Sequence, residues 1–88
     1  MEELTLDNFK DQVIDQKGLI LIDCYQDYCP PCFVLDNRLK DLKQNYPFVT
    51  MYKLNVIKEK DIKDAFQIQS VPYVLFFSDG HFIKSFYK

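Results

Sequence analysis

The sequence predicts an α/β domain built on one mixed central sheet, and three observations carry that expectation. Apolar runs with strand character alternate with segments of helical periodicity through most of the chain. Residues 19–22 are apolar without alternation, as a strand covered by helices above and below requires. The last two strand candidates flank Ser78-Asp79-Gly80, a tight-turn signal that makes them a hairpin. Alternating strands and helices imply parallel crossovers, whereas the terminal hairpin adds an antiparallel edge, so four to five strands share the sheet.

Taken in order, a short strand over residues 3–6 precedes a helix that opens near Asp7 as its N-cap. That helix carries Phe9, Val13 and Ile14 on one face and stops at Gly18. The buried strand follows over residues 19–25 and a loop over 26–28. From Cys29 to about Asn45 the period is helical, with Leu35, Leu39 and Leu42 spaced to share a face, and Tyr46-Pro47 ends it. Residues 48–56, rich in aromatic and branched side chains, make a second long strand. A shorter helix over 58–66 presents Ile62, Ala65 and Phe66. Strands over 73–77 and 81–87 close the chain.

At 88 residues a single domain over 1–88 is expected. The chain is 48% hydrophobic and contains 8 Phe, enough large apolar side chains for one core without metals or structural disulfides. The formal net charge of -2 comes from 13 acidic and 11 basic side chains interleaved along the chain, which argues against a nucleic-acid or membrane partner. The acidic start lacks the basic and apolar stretches of a secretory signal, and no apolar run approaches the ~20 residues that span a bilayer, so the expected location is cytoplasmic. In a reducing compartment three cysteines do not form a disulfide framework, which leaves reactivity or packing as their value.

The strongest chemical signal is Tyr28-Cys29-Pro30-Pro31-Cys32, a Cys-x-x-Cys directly after a buried strand and at the start of a helix. The first cysteine meets unpaired backbone N–H groups and the positive end of the helix dipole, so Cys29 is expected as the nucleophilic thiolate. Cys32, one turn later and less exposed, attacks the mixed disulfide that Cys29 forms and is the resolving thiol. Pro30 and Pro31 occupy early helix positions, where a missing N–H costs little and the fixed backbone angle suits the turn. A zinc site is the bland alternative for the pair, but only Cys24 and His81 remain as further ligands. Asp23, ending an aliphatic run in a central strand, is expected to be desolvated and raised in pKa, ready to take the proton of Cys32; the bland alternative is a strand-end acid meeting solvent. Pro72, ahead of the last hairpin, has no N–H for a ladder. Composition alone favours a trans peptide before it.

Residues 21–23, then the Cys29–Cys32 motif, Lys53-Leu54-Asn55-Val56, Ser70-Val71-Pro72 and Asp79-Gly80 together resemble the thioredoxin family in kind, order and spacing over nearly the whole chain. The resemblance implies a thioredoxin fold, with Asp23 as buried acid, Lys53 as the lysine near it and Pro72 as a cis proline packed against the disulfide. It implies a backbone around Val71 that binds an extended substrate segment, no cofactor beyond the redox disulfide, disulfide-containing proteins as substrates and a thioredoxin reductase as electron donor. The chain departs from the family in having Tyr25 and Tyr28 where Trp is usual, Pro30 where Gly is usual and Asn37 where a helix-kinking proline is common. It also ends where the family continues into a final helix, which would leave one sheet face near Phe82 and Phe86 uncovered and open to dimerisation of an otherwise monomeric protein.

Other residues read more plainly. Cys24 is a small core residue, Tyr25, Tyr28 and Tyr73 serve equally as a rim around Cys29 or as packing, His81 faces solvent, and residues 58–61 are a solvated helix start. The leading function is a protein-disulfide reductase. A glutaredoxin-like, glutathione-dependent protein and a redox-idle binding module are the alternatives, and an oxidant or isomerase would differ from the reductase only in potential and partners.

Overall fold

The computed structural model describes residues 1–87. In chain order these form β1 (Glu2–Glu3), α1 (Leu6–Phe9) continued by a π-helical turn (Lys10–Ile14), β2 (Leu19–Tyr25), α2 (Pro30–Asn45), β3 (Thr50–Asn55), α3 (Lys60–Ala65), β4 (Tyr73–Ser78) and β5 (His81–Tyr87). One five-stranded sheet has the order β1-β3-β2-β4-β5. β3 runs parallel to both β1 and β2, while β4 is antiparallel to β2 and to β5. The predicted mixed sheet is therefore present, with β2 at its centre.

Alternation along β2 divides the core. Ile20, Ile22 and Cys24 point to one face, where they join Tyr52, Leu54, Leu75 and Phe77 beneath Val13 of the π turn and Ile62 of α3. Leu21 and Val74 point to the other face, beneath Leu39 and Leu35 of α2. Of the three α2 leucines expected to share that face, Leu42 is exposed. It sits one turn from the end of the helix, beyond the part that α2 lays on the sheet.

The first helix begins earlier than expected. Its N-cap is Thr5, not Asp7: the Thr5 hydroxyl accepts from the Asn8 N–H at 3.3 Å and the Thr5 N–H donates to Asn8 Oδ1 at 2.8 Å. This reciprocal pair satisfies two backbone-end donors at once, which Asp7 inside the first turn cannot do. The strand expected over 3–6 is accordingly only Glu2–Glu3. The helix then widens, with the Asp15 N–H donating to the Lys10 carbonyl at 2.9 Å. That wider turn leaves Val13 buried but Ile14 exposed, so the predicted shared face does not hold for Ile14.

Gly18, four residues past the π turn, leads into β2 at φ 85°. It is tied to the hairpin turn by its N–H to Asp79 Oδ1 at 2.8 Å and by its carbonyl, which accepts from the Asp79 N–H at 3.0 Å. Asp79 and Gly80 take φ of 50° and 80°, the left-handed pair expected of a two-residue hairpin turn. At Gly80 an added Cβ would lie 2.1 Å from the carbonyl oxygen of Ile14, so glycine is required there by close approach as well as by φ.

Two other predicted elements are shorter than expected. β3 starts at Thr50, because Phe48 turns outward against Tyr46, their rings edge to face at 6.1 Å. α3 starts at Lys60, because Asn55 Oδ1 accepts from the N–H groups of Ile57 and Lys58 at 3.0 and 3.1 Å and holds that pair in a turn. Within α3 Ile62 is buried, whereas Ala65 is exposed. α2 is a continuous helix through Asn37.

The last correction concerns the hairpin. A bulge between Phe76 and Phe77 sets Phe82 opposite Phe77 and Phe86 opposite Val74. Phe82 then packs its ring 5.7 Å from Phe66 and 5.6 Å from Phe77, and Phe86 lies 5.6 Å from Phe76 on the other face. The expectation of one uncovered patch containing both rings fails, because the inserted residue reverses their parity. Each ring is partly exposed on its own side, 47% in both cases.

Candidate redox site

β2 delivers the site. Asp23 lies on its α2 side, directly opposite Lys53 of β3 and Val74 of β4, and is 1% exposed. The chain leaves β2 after Tyr25 and turns through Tyr28 at φ 57°, and Cys29 then takes an extended conformation as the N-cap of α2. Its sulfur accepts from the Cys32 N–H at 3.3 Å, and the Phe33 N–H donates to the Cys29 carbonyl at 3.1 Å to begin the helix. Pro30 and Pro31 fill the first two helical positions, where there is no backbone partner to lose.

Cys29 and Cys32 are joined in a disulfide, their Cα atoms 5.2 Å apart. The N-cap projects outside the helix, so Cys29 is partly exposed, whereas Cys32 faces inward and is 4% exposed. A cavity of about 720 Å³ opens beside the pair, lined by Asp23, Tyr28, Cys29, Cys32, Asp36 and Lys53, with Tyr25 and Pro30 at its edge. A smaller hollow of about 520 Å³ lies on the other side of the cysteine turn and contains Pro31, Pro72, Val34, Leu35 and Arg38.

Burial, reinforced by the Asp36 charge and opposed by Lys53, pushes the Asp23 carboxyl up to about 6. Asp23 Oδ1 has no hydrogen-bond partner among the described residues, so no hydrogen bond to that oxygen offsets the desolvation. The Lys53 ammonium lies over the Tyr25 ring at 5.6 Å, and the Tyr25 hydroxyl donates to the Glu3 carboxylate. Burial, then Glu3, pushes the Tyr25 phenol up to about 12.

Most of the expected site residues meet here. Cys29, Cys32, Asp23, Lys53, Tyr28 and Pro30 surround one cavity, whereas Pro31 and Pro72 border the second hollow. Val71 packs against the core, and the Val71–Pro72 peptide is cis, against the trans form that composition favours. Tyr73 is not part of the rim: it pairs with Cys24 on the opposite sheet face, and its hydroxyl shares a hydrogen bond with Ser85 Oγ at 2.8 Å. Cys24 is the buried core thiol expected, and burial followed by the Asp23 charge pushes it up to about 12. Cys29 and Cys32 bond to each other, Cys24 lies in the opposite core and His81 sits on the edge strand, so the four zinc candidates do not converge. Asp36 and Phe33 line the redox cavity without having been singled out. For Asp36 the signal was its place four residues after Cys32, on the same side of α2.

The family model described as Thioredoxin matches residues 1–88. The chain belongs to the thioredoxin family. It is 42% identical over 79 residues to thioredoxin AMT13 of Alternaria alternata, covering 86% of this chain and 67% of that protein. It is 34% identical over 74 residues to a thioredoxin of Chlamydia muridarum, covering 84% of this chain and 71% of that one. Among solved structures, the oxidised form of mitochondrial thioredoxin 3 from Saccharomyces cerevisiae superposes with a TM-score of 0.90 at 30% identity, over 98% of this chain and 81% of that chain. Family membership and the Cys29–Cys32 pair together make the protein a thiol-disulfide oxidoreductase. Among the described residues no helix is long and apolar enough to cross a membrane.

Proposed function

We propose that the protein reduces disulfides in other proteins, with Cys29 as attacking sulfur, Cys32 as resolving sulfur and Asp23 as proton acceptor. The observation that carries the reading is the gathering of three groups at one cavity: a partly exposed cysteine at a helix N-cap, its partner buried one turn inward and a buried carboxyl with an unpartnered oxygen. In the dithiol form the Cys29 thiolate attacks a substrate disulfide, forming one S–S bond while the first substrate sulfur leaves as thiolate. Cys32 then gives its proton to Asp23 and attacks Cys29, restoring the protein's own disulfide and expelling the second substrate sulfur. Two electrons pass to the substrate, whose two thiolates take up protons from solvent.

Lys53 acts by moderating Asp23, because its positive charge opposes the rise in proton affinity. Tyr28, Pro30, Pro31, Val71 and Pro72 form the surface that meets substrate on either side of the sulfurs. A thioredoxin reductase returns the dithiol form using NADPH, and no bound cofactor takes part. The whole of 1–88 acts as one cytoplasmic, monomeric electron-transport unit of this kind.

The test is turnover of insulin coupled to NADPH through a thioredoxin reductase. Wild-type protein is expected to turn over, Cys29→Ser to be inactive and Cys32→Ser to accumulate a mixed disulfide. If Cys29→Ser turned over as wild type does, the reading would be wrong. Recycling by glutathione and glutathione reductase alone would favour a glutathione-dependent role instead.

A further inference from the structure

Asp36 is a second acid at the redox cavity. It lies one turn beyond Cys32 on α2, and Lys40 lies one turn beyond that, so the three residues form a single row along the helix. Helical side chains lean toward the N-terminus, which tilts Asp36 back toward the sulfurs. Its carboxylate holds the Lys40 ammonium at 3.0 Å, and its side chain is 23% exposed, so it stands between solvent and the buried acid. Across the cavity stand Asp23, with its unpartnered Oδ1, and Lys53. The reductive half-reaction proposed above requires Asp23 to accept one proton, and these neighbours decide how readily it does so.

We infer that Asp36, held by Lys40, is a positioning residue for disulfide exchange, placing a fixed negative charge across the cavity that sets how readily Asp23 takes the proton leaving Cys32. The groups facing Asp23 are few. α2 contributes Cys32 and Asp36, β3 contributes Lys53, the end of β2 contributes Tyr25, and the turn after it contributes Asp27 and Tyr28 to the same cavity. From β4 the facing residue is Val74, which has no charge, and Cys24 points to the opposite core. Asp36 therefore opposes Lys53: one carboxylate makes the buried acid more basic, one ammonium less so, in agreement with the direction each gives to the Asp23 titration. Lys40 partly neutralises Asp36 and so sets how much of its charge reaches across. The residue touches neither substrate nor sulfur in this account. It works through Asp23.

This inference rests on the role given to Asp23 above, and its test separates the two. The Asp23 carboxyl carbon is followed by NMR through a pH titration of the oxidised protein, and the pH profile of insulin reduction is measured alongside. Asp36→Asn is expected to lower the Asp23 midpoint by roughly half a pH unit, the size expected for one charge acting across a partly solvated cavity. Lys40→Gln is expected to raise it, Asp36→Glu to restore it, and the rate profile to move in the same direction as the midpoint each time. A merely structural role would alter stability without producing opposite shifts from the two variants. An unmoved midpoint in Asp36→Asn overturns the inference and leaves the role of Asp23 standing. A midpoint that moves while Asp23→Asn retains the wild-type rate profile removes both.

Discussion

Replacing Asp23 by asparagine removes a buried charge without changing side-chain volume, and the structure fixes both the sign and the size of the effect. Folding raises the carboxyl from 3.8 to about 6, chiefly by desolvation. Below 3.8 the acid is neutral in both folded and unfolded chains, and burial costs the same in each protonation account. As pH rises through 6 the folded chain must hold a carboxylate with an unpartnered oxygen, so the stability this group allows at low pH is lost. A rise of roughly two pH units at 1.36 kcal/mol each gives about 3 kcal/mol, an upper value because the cavity beside Asp23 admits water. The variant should therefore match wild type near pH 3.5, gain on it between pH 4 and 6, and remain about 2 to 3 kcal/mol more stable at pH 8. Urea unfolding of the two oxidised proteins from pH 3.5 to 8.5 measures this directly. A stability difference that does not change with pH, or a variant less stable at pH 8, would refute a desolvated carboxyl at this position.

Three further outcomes follow from local geometry. Gly80→Ala should cost at least about 2 kcal/mol in chemical denaturation, because the new Cβ meets the Ile14 carbonyl at 2.1 Å on a left-handed backbone; a loss under about 0.5 kcal/mol would mean that the turn and the π segment separate freely. Thr5→Ala should cost about 1 kcal/mol by opening the reciprocal bonds with Asn8, and Thr5→Ser should recover most of it in the same assay. In the reduced folded protein, iodoacetamide should label Cys29 and leave Cys24 untouched until denaturant is added, as peptide mass spectrometry would reveal; prompt labelling of Cys24 would contradict a buried thiol pushed up to about 12.

The sheet and its site were legible because they rest on local signals that tertiary structure did not override. The aliphatic run of β2, the Cys-x-x-Cys after it and the Asp-Gly turn each specify a conformation from a few adjacent residues. What escaped depends on side chains that compete with those signals. Thr5 displaced Asp7 because a reciprocal bond with Asn8 outweighs a single cap, and Asn55 shortened α3 by capturing two backbone donors. The wide turn at Lys10–Ile14 broke the 3.6-residue period on which the placement of Ile14 rested. Asp36 went unnoticed because an acid on a helix surface normally means solvent, and only the location of Asp23 beneath α2 gives it another meaning.

The register of one strand decides which chemistry the site has. β2 sends Asp23 toward α2 and Cys24 away from it, and the pairings Asp23↔Lys53 and Cys24↔Leu54 keep the two in place. A slip by one residue would exchange them: a third thiol would lie beneath the disulfide, and the carboxyl would enter the apolar core among Ile62 and Leu75. Charge burial opposes that slip strongly, since the buried residues described on that face are apolar and place no cation opposite as Lys53 is placed at the site. The cost that raises Asp23 at the site thus also selects the register that puts it there. An acid tolerated at a price in stability on one face is excluded on the other, and the same asymmetry keeps Cys24 out of reach of the exchanging pair.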